Sequence, residues 1–336
     1  MNRSATQADS DVPGRHAPVA AVIMTGLALS GWLASASAQD ANITLPVPEL
    51  ERMLANDPFT IVSAEISRPK AKGDITLKAE MSFAGRPPIR IKLRKAEPGA
   101  DSFNNEPRYD LAAYDLQTFF LDPAEYVVPP TALRFLPLEE FQKYSPQVKR
   151  TFIGADEVLA VLQYWLQDVK VVADVYAPTL YAADPVYARH VGQMNILTFL
   201  IDHGDSNVGN FLIARSEVGP RVFSVDNGVA FAAGQSDRGR AWAEMRVDRL
   251  PADTVERLRR ISLEALQQRL GAVEQWRLED GRFVAMPTGA SLSSLRGVRR
   301  DGAILQMGLT RPEIDRVWRN LQRVLEMVDD GRLKTF

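Results

Sequence analysis

The sequence predicts an α+β fold in two lobes, a strand-rich N-lobe followed by a mostly helical C-lobe. Three observations predict it. Strand-like stretches follow one another between Phe59 and Arg94. Helical periodicity dominates from about Val158. Between His190 and Val225 a helix, a polar loop and two short strands occur in succession. The 336 residues suffice for one large domain or two lobes. A hydrophobic share of 46% and a charged share of 24% are those of a folded globular chain. With 40 Lys and Arg against 42 Asp and Glu, net charge gives no general attraction to nucleic acid or to an anionic membrane. The absence of cysteine excludes disulfides, thiolate nucleophiles and Cys-ligated zinc, and is compatible with an oxidising compartment.

Residues 1–38 have the pattern of a signal peptide. Arg3 and Arg15 precede an apolar run from Ala17 to about Ala34, and Ala36-Ser37-Ala38 is a small-x-small cleavage signature. An uncleaved anchor is the alternative, since the run approaches the roughly 20 residues that span a bilayer. Cleavage after Ala38 leaves a periplasmic or secreted protein with no stable membrane span, divided into an N-lobe over 39–165 and a C-lobe over 166–336.

Residues 47–56 read as a short helix. Strands follow at Phe59–Ile66, Ile75–Phe83 and Ile89–Arg94, the last with strict alternation: Ile89, Ile91 and Leu93 on one face, Arg90, Lys92 and Arg94 on the other. A helix is expected over Arg108–Leu121, capped by Asn104 or Asn105, with Pro107 in its first turn and Asp110, Ala113, Tyr114 and Gln117 on one face. Tyr126–Thr131 reads as a strand ending at a proline pair. Helices are expected at His190–Ile201 and Thr254–Gly271. Another runs from the capping box Thr310-Arg311-Pro312-Glu313 toward Val328. Two short strands, Phe211–Ala214 and Arg221–Val225, flank a turn at Glu217–Pro220.

The chemistry concentrates in His203-Gly204-Asp205-Ser206-Asn207-Val208-Gly209-Asn210, which leaves a helix and enters a strand, and in Asp226-Asn227-Gly228 at the end of the next strand. Taken singly, each is an Asx-rich turn of an ordinary kind. Together and in order they form a loop H-x-D-x-x-x-x-N followed by D-x-G, the layout of a phosphoryl-transfer site. Such a site needs a carboxylate to orient and deprotonate an acceptor hydroxyl, and oxygen ligands for divalent ions held against phosphates. Asp205 fits the first need; Asn210 and Asp226 fit the second, with Mg²⁺ or Mn²⁺ as the hard cation. Gly228 is expected to let the chain turn sharply after the metal ligand. His203 reads as a structural residue bonded to the loop backbone, and His190 as an isolated surface or core residue. Trp165, Trp242, Trp276 and Trp318 read as core.

These residues resemble the protein-kinase-like phosphotransferase superfamily. HGDSNVGNFL is similar to the H-G-D-x-x-x-x-N loop of aminoglycoside phosphotransferases. More of the chain resembles the phosphatidylinositol 3/4-kinase-like and Golgi casein-kinase-like branch. SVDNGVAF is similar to I-D-N-G-L-A-F of the lipid kinases, and RYDLAAYDLQ followed by VVPPT is similar to their E-x-A-A-x-x-L-D followed by V-P-P-T. Trp242 and Arg249-Leu250-Pro251 fit the tryptophan and proline that come next. The resemblance covers roughly residues 59–260.

It implies a two-lobed protein-kinase-like fold binding ATP with Mg²⁺ or Mn²⁺. Asp205 is implied as catalytic base, and Asn210 and Asp226 as metal ligands. Lys92 or Lys95 is implied as the strand lysine on the α- and β-phosphates, paired with a helix acid at Asp110 or Glu106. The loop Ser67–Gly73 takes the place of a glycine-rich loop. It has one glycine, so Ser67, Lys70 and Lys72 are left to bind phosphate. The chain departs from the family in a shorter helix acid, in Ser206 where Arg usually follows the base, and in Thr198 where an Asp stands upstream. The function implied is an exported ATP-dependent kinase acting on an unidentified protein, lipid or small-molecule hydroxyl. The alternatives are a catalytically inactive kinase-fold protein that binds nucleotide or a partner, and a small-molecule kinase of the aminoglycoside phosphotransferase type.

Overall fold

Helix α1 (Val47–Ala55) places Val47, Leu50, Met53 and Leu54 on one buried stripe, a spacing of three and four that turns one face of a helix inward. In the computed structural model, which describes residues 41–67, 75–101, 106–231 and 238–336, this helix opens an α+β fold. Residues 1–38, expected to be a signal peptide, and Lys70, Lys72, Asn104 and Asn105 lie outside the described residues.

Strands β1 (Phe59–Ile66), β2 (Thr76–Phe83) and β3 (Ile89–Lys95) stand where alternation put them. Helix α2 (Pro107–Gln117) follows, then β4 (Thr131–Pro137), the short helix α3 (Leu138–Gln142) and β5 (Glu157–Tyr164). The five strands form one antiparallel sheet in the order β1-β2-β3-β5-β4. On β3, Ile89, Ile91 and Leu93 are buried as the alternation requires. Arg94, on the polar face with Lys92, is buried too.

Helix α2 lies against β4 and β5. It ends at Gln117, one turn earlier than the sequence suggested, and Glu106 takes the N-cap position. The physical reason for the early stop is Gln117 itself. Its side-chain oxygen accepts from the backbone N–H groups of Val127 and Val128, each at 2.9 Å, and its amide nitrogen donates to the Val128 carbonyl at 2.9 Å. The chain turns back on its own helix end to meet these bonds. That corrects a second expectation: residues 126–130 are not a strand. Pro129 and Pro130 lack the N–H a ladder needs, and the pairing starts only at Thr131.

Residues 157–164 and 169–171 are strands rather than helix, a further correction. In β5 every residue from Val158 to Tyr164 is buried, because the strand is covered on both faces and so carries no alternation. A short strand β6 (Val169–Val171) follows. Helices α4 (Pro178–Ala183) and α5 (Pro185–Leu200) come next, and the Asp184 carboxylate caps α5 by accepting from Val186 and Tyr187 N–H, both at 2.9 Å. Strands β7 (Phe211–Ala214) and β8 (Val222–Ser224) join β6 in a three-stranded antiparallel sheet.

After the short strand β9 (Arg249–Leu250), the single helix expected over Thr254–Gly271 is two: α6 (Ala252–Leu258) and α7 (Leu263–Leu270). Ser262 starts the second by accepting from Ala265 N–H at 3.1 Å. Helices do not dominate the rest. Strands β10 (Glu274–Glu279), β11 (Arg282–Ala285), β12 (Val298–Asp301) and β13 (Ile304–Met307) form a four-stranded sheet, order β11-β10-β13-β12. Two tight turns build it. Asp280 and Gly281 both have positive φ, 48° and 79°, as the hairpin between Glu279 and Arg282 demands. Gly302 at 56° opens the turn between Asp301 and Ile304. The guanidinium of Arg299, deep in this sheet, donates to the carbonyls of Arg296, Gly271 and Leu309 and to Gln306 Oε1.

Helix α8 (Arg311–Asp329) begins with the expected box, Thr310 N–H donating to Glu313 Oε2 at 2.6 Å. The same carboxylate accepts both Nη1 and Nη2 of Arg108 on α2, at 2.7 and 3.0 Å. Arg108 also pairs with Glu106 and packs on Gly297, where no side chain would fit. A last strand, β14 (Lys334–Thr335), runs parallel to β9. Among the described residues no helix is long and apolar enough to cross a membrane.

Replacing Gln117 by Leu leaves three buried backbone groups without partners. Each such group costs about 1–3 kcal/mol, so we expect a loss of ~3 kcal/mol or more in unfolding free energy by urea denaturation. A loss under ~1 kcal/mol would show that the 126–130 turn is held by something else.

Candidate active site

Helix α5 runs inward to Leu200, and the chain then needs to reverse. Asp202 takes the left-handed region, φ 52°, with Arg240 and Arg316 on its carboxylate. The following loop is stitched to the segment after β8 at three points. Phe231 N–H donates to Ile201 O at 2.6 Å, Gly204 N–H to Val229 O at 2.8 Å, and Val225 N–H to Asn210 O at 2.8 Å. These bonds bring the two motifs of the sequence side by side.

Within the loop, Asp205 and Asn210 are both buried and face each other. Asn210 Nδ2 donates to the Asp205 carbonyl and to its Oδ2, each at 3.1 Å. That orientation commits the amide nitrogen to Asp205 and leaves the amide oxygen for a cation. Arg238 Nη1 stands 3.5 Å from Asp205 Oδ2. The Ser206 hydroxyl accepts from Trp242 N–H at 3.1 Å.

His203 plays the backbone role expected of it. It is wholly buried, and its Nδ1 accepts from Asp205 N–H at 3.4 Å, which places the ring proton on Nε2. Nε2 has no partner among the described residues. Burial pushes the pKa of this imidazole down to about 4, against the pull of Asp205 and Asp226.

Asp226 takes the left-handed conformation at φ 62°, so the sharp turn falls on the acid itself and not on Gly228 as expected. Aspartate tolerates that region better than most residues, and a strained backbone at a charged position is a feature of functional sites. Asn227 beneath it is fully buried, its Oδ1 accepting from Ser224 Oγ at 2.8 Å.

The strand cations come from above. Lys92 Nζ lies 3.1 Å from Asp226 Oδ1, and Arg94 Nη1 lies 2.7 Å from the same oxygen. Arg94 also pairs through Nη2 with Asp110 on α2. The structure thus gives the helix acid to Arg94, where a pair with the strand lysine was expected, because the fork of a guanidinium spans two carboxylates and an ammonium does not. Desolvation pushes the Asp110 carboxyl above the usual carboxylate range, opposed chiefly by Arg94 and then by Lys92. The alternatives of the sequence lie elsewhere: Lys95 pairs with Glu97 at 2.8 Å, and Glu106 pairs with Arg108. Burial raises Glu106 to about 7. Ser67 is exposed at the end of β1, its N–H donating to Thr76 O at 2.9 Å, and it makes no bond to this cluster.

Lys92, Asp110 and Asp226 are thus tied through ion pairs with Asp226 and Arg94, Asp205 and Asn210 through a hydrogen bond, and the backbone bond from Val225 to Asn210 sets the two groups side by side. Arg94 is the member that sequence reading passed over. Its signal was present: strict alternation places it on the face of Lys92, two residues on. Hard oxygen donors at Asp226 and Asn210 suit a small divalent cation. Among the described residues no group of three or more His, Cys, Asp or Glu side chains forms a metal site of protein ligands alone. No protein-family model matches the chain, and no curated protein does.

Because His203 binds a proton less readily in the folded chain, its contribution to stability is complete above its usual pKa of 6.5 and is lost as the pH falls from there toward 4. The shift corresponds to ~3 kcal/mol. His203→Gln should flatten the fall in unfolding free energy between pH 7 and pH 4.5. Parallel pH profiles for the two proteins would place the acid sensitivity on another group.

Proposed function

We propose that this chain is an exported, ATP-dependent kinase of protein-kinase-like, two-lobed fold, transferring the γ-phosphoryl group to a hydroxyl acceptor outside the cytoplasm. The observation that carries the reading is the meeting of four groups from three separated segments. Lys92 reaches Asp226 from the strand, and Asp226 lies beside the loop that joins Asp205 to Asn210.

In this reading Asp205 accepts the proton of the attacking hydroxyl, and the Asn210 amide fixes the carboxylate's orientation. Lys92 neutralises the α- and β-phosphates. Asp226 and the Asn210 amide oxygen hold the divalent ion, which supplies charge neutralisation at the β- and γ-phosphates when bound. His203 stays neutral beneath the loop, so its ring adds no positive charge there.

A second reading has one observation in its favour. The Arg94 guanidinium already sits 2.7 Å from the proposed metal ligand, which suits a protein that binds nucleotide by fixed cations and transfers nothing.

Calorimetry and turnover separate the two. Asp226→Ala should abolish metal-dependent ATP binding. Asp205→Asn should bind ATP as wild type does, while transfer drops by about 10²–10⁴-fold. Wild type that binds ATP without turnover on any acceptor or water, and behaves like Asp205→Asn, would leave only the binding reading. Export rests on the Ala36-Ser37-Ala38 site: secreted protein should begin at Gln39, and mature protein retaining Met1 would refute it.

A further inference from the structure

The kinase reading gives the β3 cation one task, the phosphates. Of the three cations on that strand face, Lys92 and Arg94 pair with Asp226, and these two differ in setting. The Arg94 side chain is 2% exposed and lies between Asp110, also 2% exposed, and Asp226. Lys92 is 18% exposed and, among the described residues, its ion pair is with Asp226. We propose that Arg94 is the positioning residue of the proposed metal site. It couples helix α2 to Asp226 and holds that carboxylate in its left-handed backbone turn, which leaves Lys92 as the mobile cation for phosphate. The inference rests on the kinase reading of the site.

Three features support the division of labour. A guanidinium presents donors in a fixed plane, so two carboxylates bonded to different nitrogens are held at a fixed separation. Asp226 adopts φ 62°, and Arg94 meets its side chain from the buried end of β3. The Lys92 ammonium is a compact charge on a flexible stem, suited to leave Asp226 when phosphate arrives, whereas Arg94 cannot follow without stranding Asp110 in the interior. The helix acid thereby acts on the metal ligand through Arg94, and not through the phosphate-binding lysine.

The test is the gain in ATP affinity that Mn²⁺ confers, measured by calorimetry with Mn²⁺ and with chelator. Fold integrity is followed by circular dichroism. For Arg94→Lys we expect that gain to shrink at least tenfold while metal-free ATP affinity changes less than twofold, since Lys92 is intact. Lys92→Met should instead weaken ATP at least fivefold in both conditions. Arg94→Lys keeps the charge, so a general electrostatic role for Arg94 predicts no change. If Arg94→Lys does not fold, the double variant Arg94→Met, Asp110→Leu replaces the buried pair by apolar groups of similar size, an exchange that cores tolerate. It should fold and show the same shrunken gain. A wild-type gain in either folded variant overturns the assignment of Arg94 alone. Wild type that binds no ATP with or without Mn²⁺ overturns the kinase reading and the inference with it.

Discussion

A buried positive charge with a negative charge on either side cannot be rearranged one member at a time. Arg94 holds Asp110 and Asp226 together where water does not reach two of the three groups. Removing the guanidinium leaves a desolvated carboxylate on α2; removing Asp110 takes away the guanidinium's buried partner. This chain of charges ties α2, β3 and the turn after β8 to one another. The left-handed conformation of Asp226 is the visible cost of that arrangement, and the three backbone bonds between the two loops help to maintain it.

The same first turn of α2 is held by a second arginine. Arg108 reaches the Glu313 carboxylate that opens α8, so a helix-capping residue also serves as a tie between distant parts of the chain. Gly297 leaves room for that guanidinium, and the Gly308 carbonyl accepts from it at 3.3 Å. Residues flanking the sheet β10–β13 therefore bear on the proposed site indirectly, through the arginine of the helix that carries Asp110.

Much of this was legible in the sequence. The first three strands, α5 and α8 carry clean periodicity or capping signals, and the motifs at 203–210 and 226–228 lie together as their order suggested. The rest failed for identifiable reasons. β5 is covered on both faces, so Val158-Leu159-Ala160-Val161-Leu162 carries no period to tell strand from helix. The hairpins at Asp280-Gly281 and Asp301-Gly302 carried the strongest short-range turn signal a sequence offers, but their strands are only four to six residues long and half polar. Arg94 stood on the correct face of β3. What a sequence does not state is how far a strand's end is overlaid, and that burial turned a surface-type residue into a bridge.

Arginine also fastens the end of the chain: Arg299, wholly within the hairpin sheet, gathers the carbonyls of Gly271, Arg296 and Leu309. Long-range ties of this kind are made and broken by desolvation, not by electron transfer. They hold equally well beside glutathione and beside oxygen. A chain fastened in this way, with no cysteine to pair, needs no oxidase or disulfide isomerase to finish it.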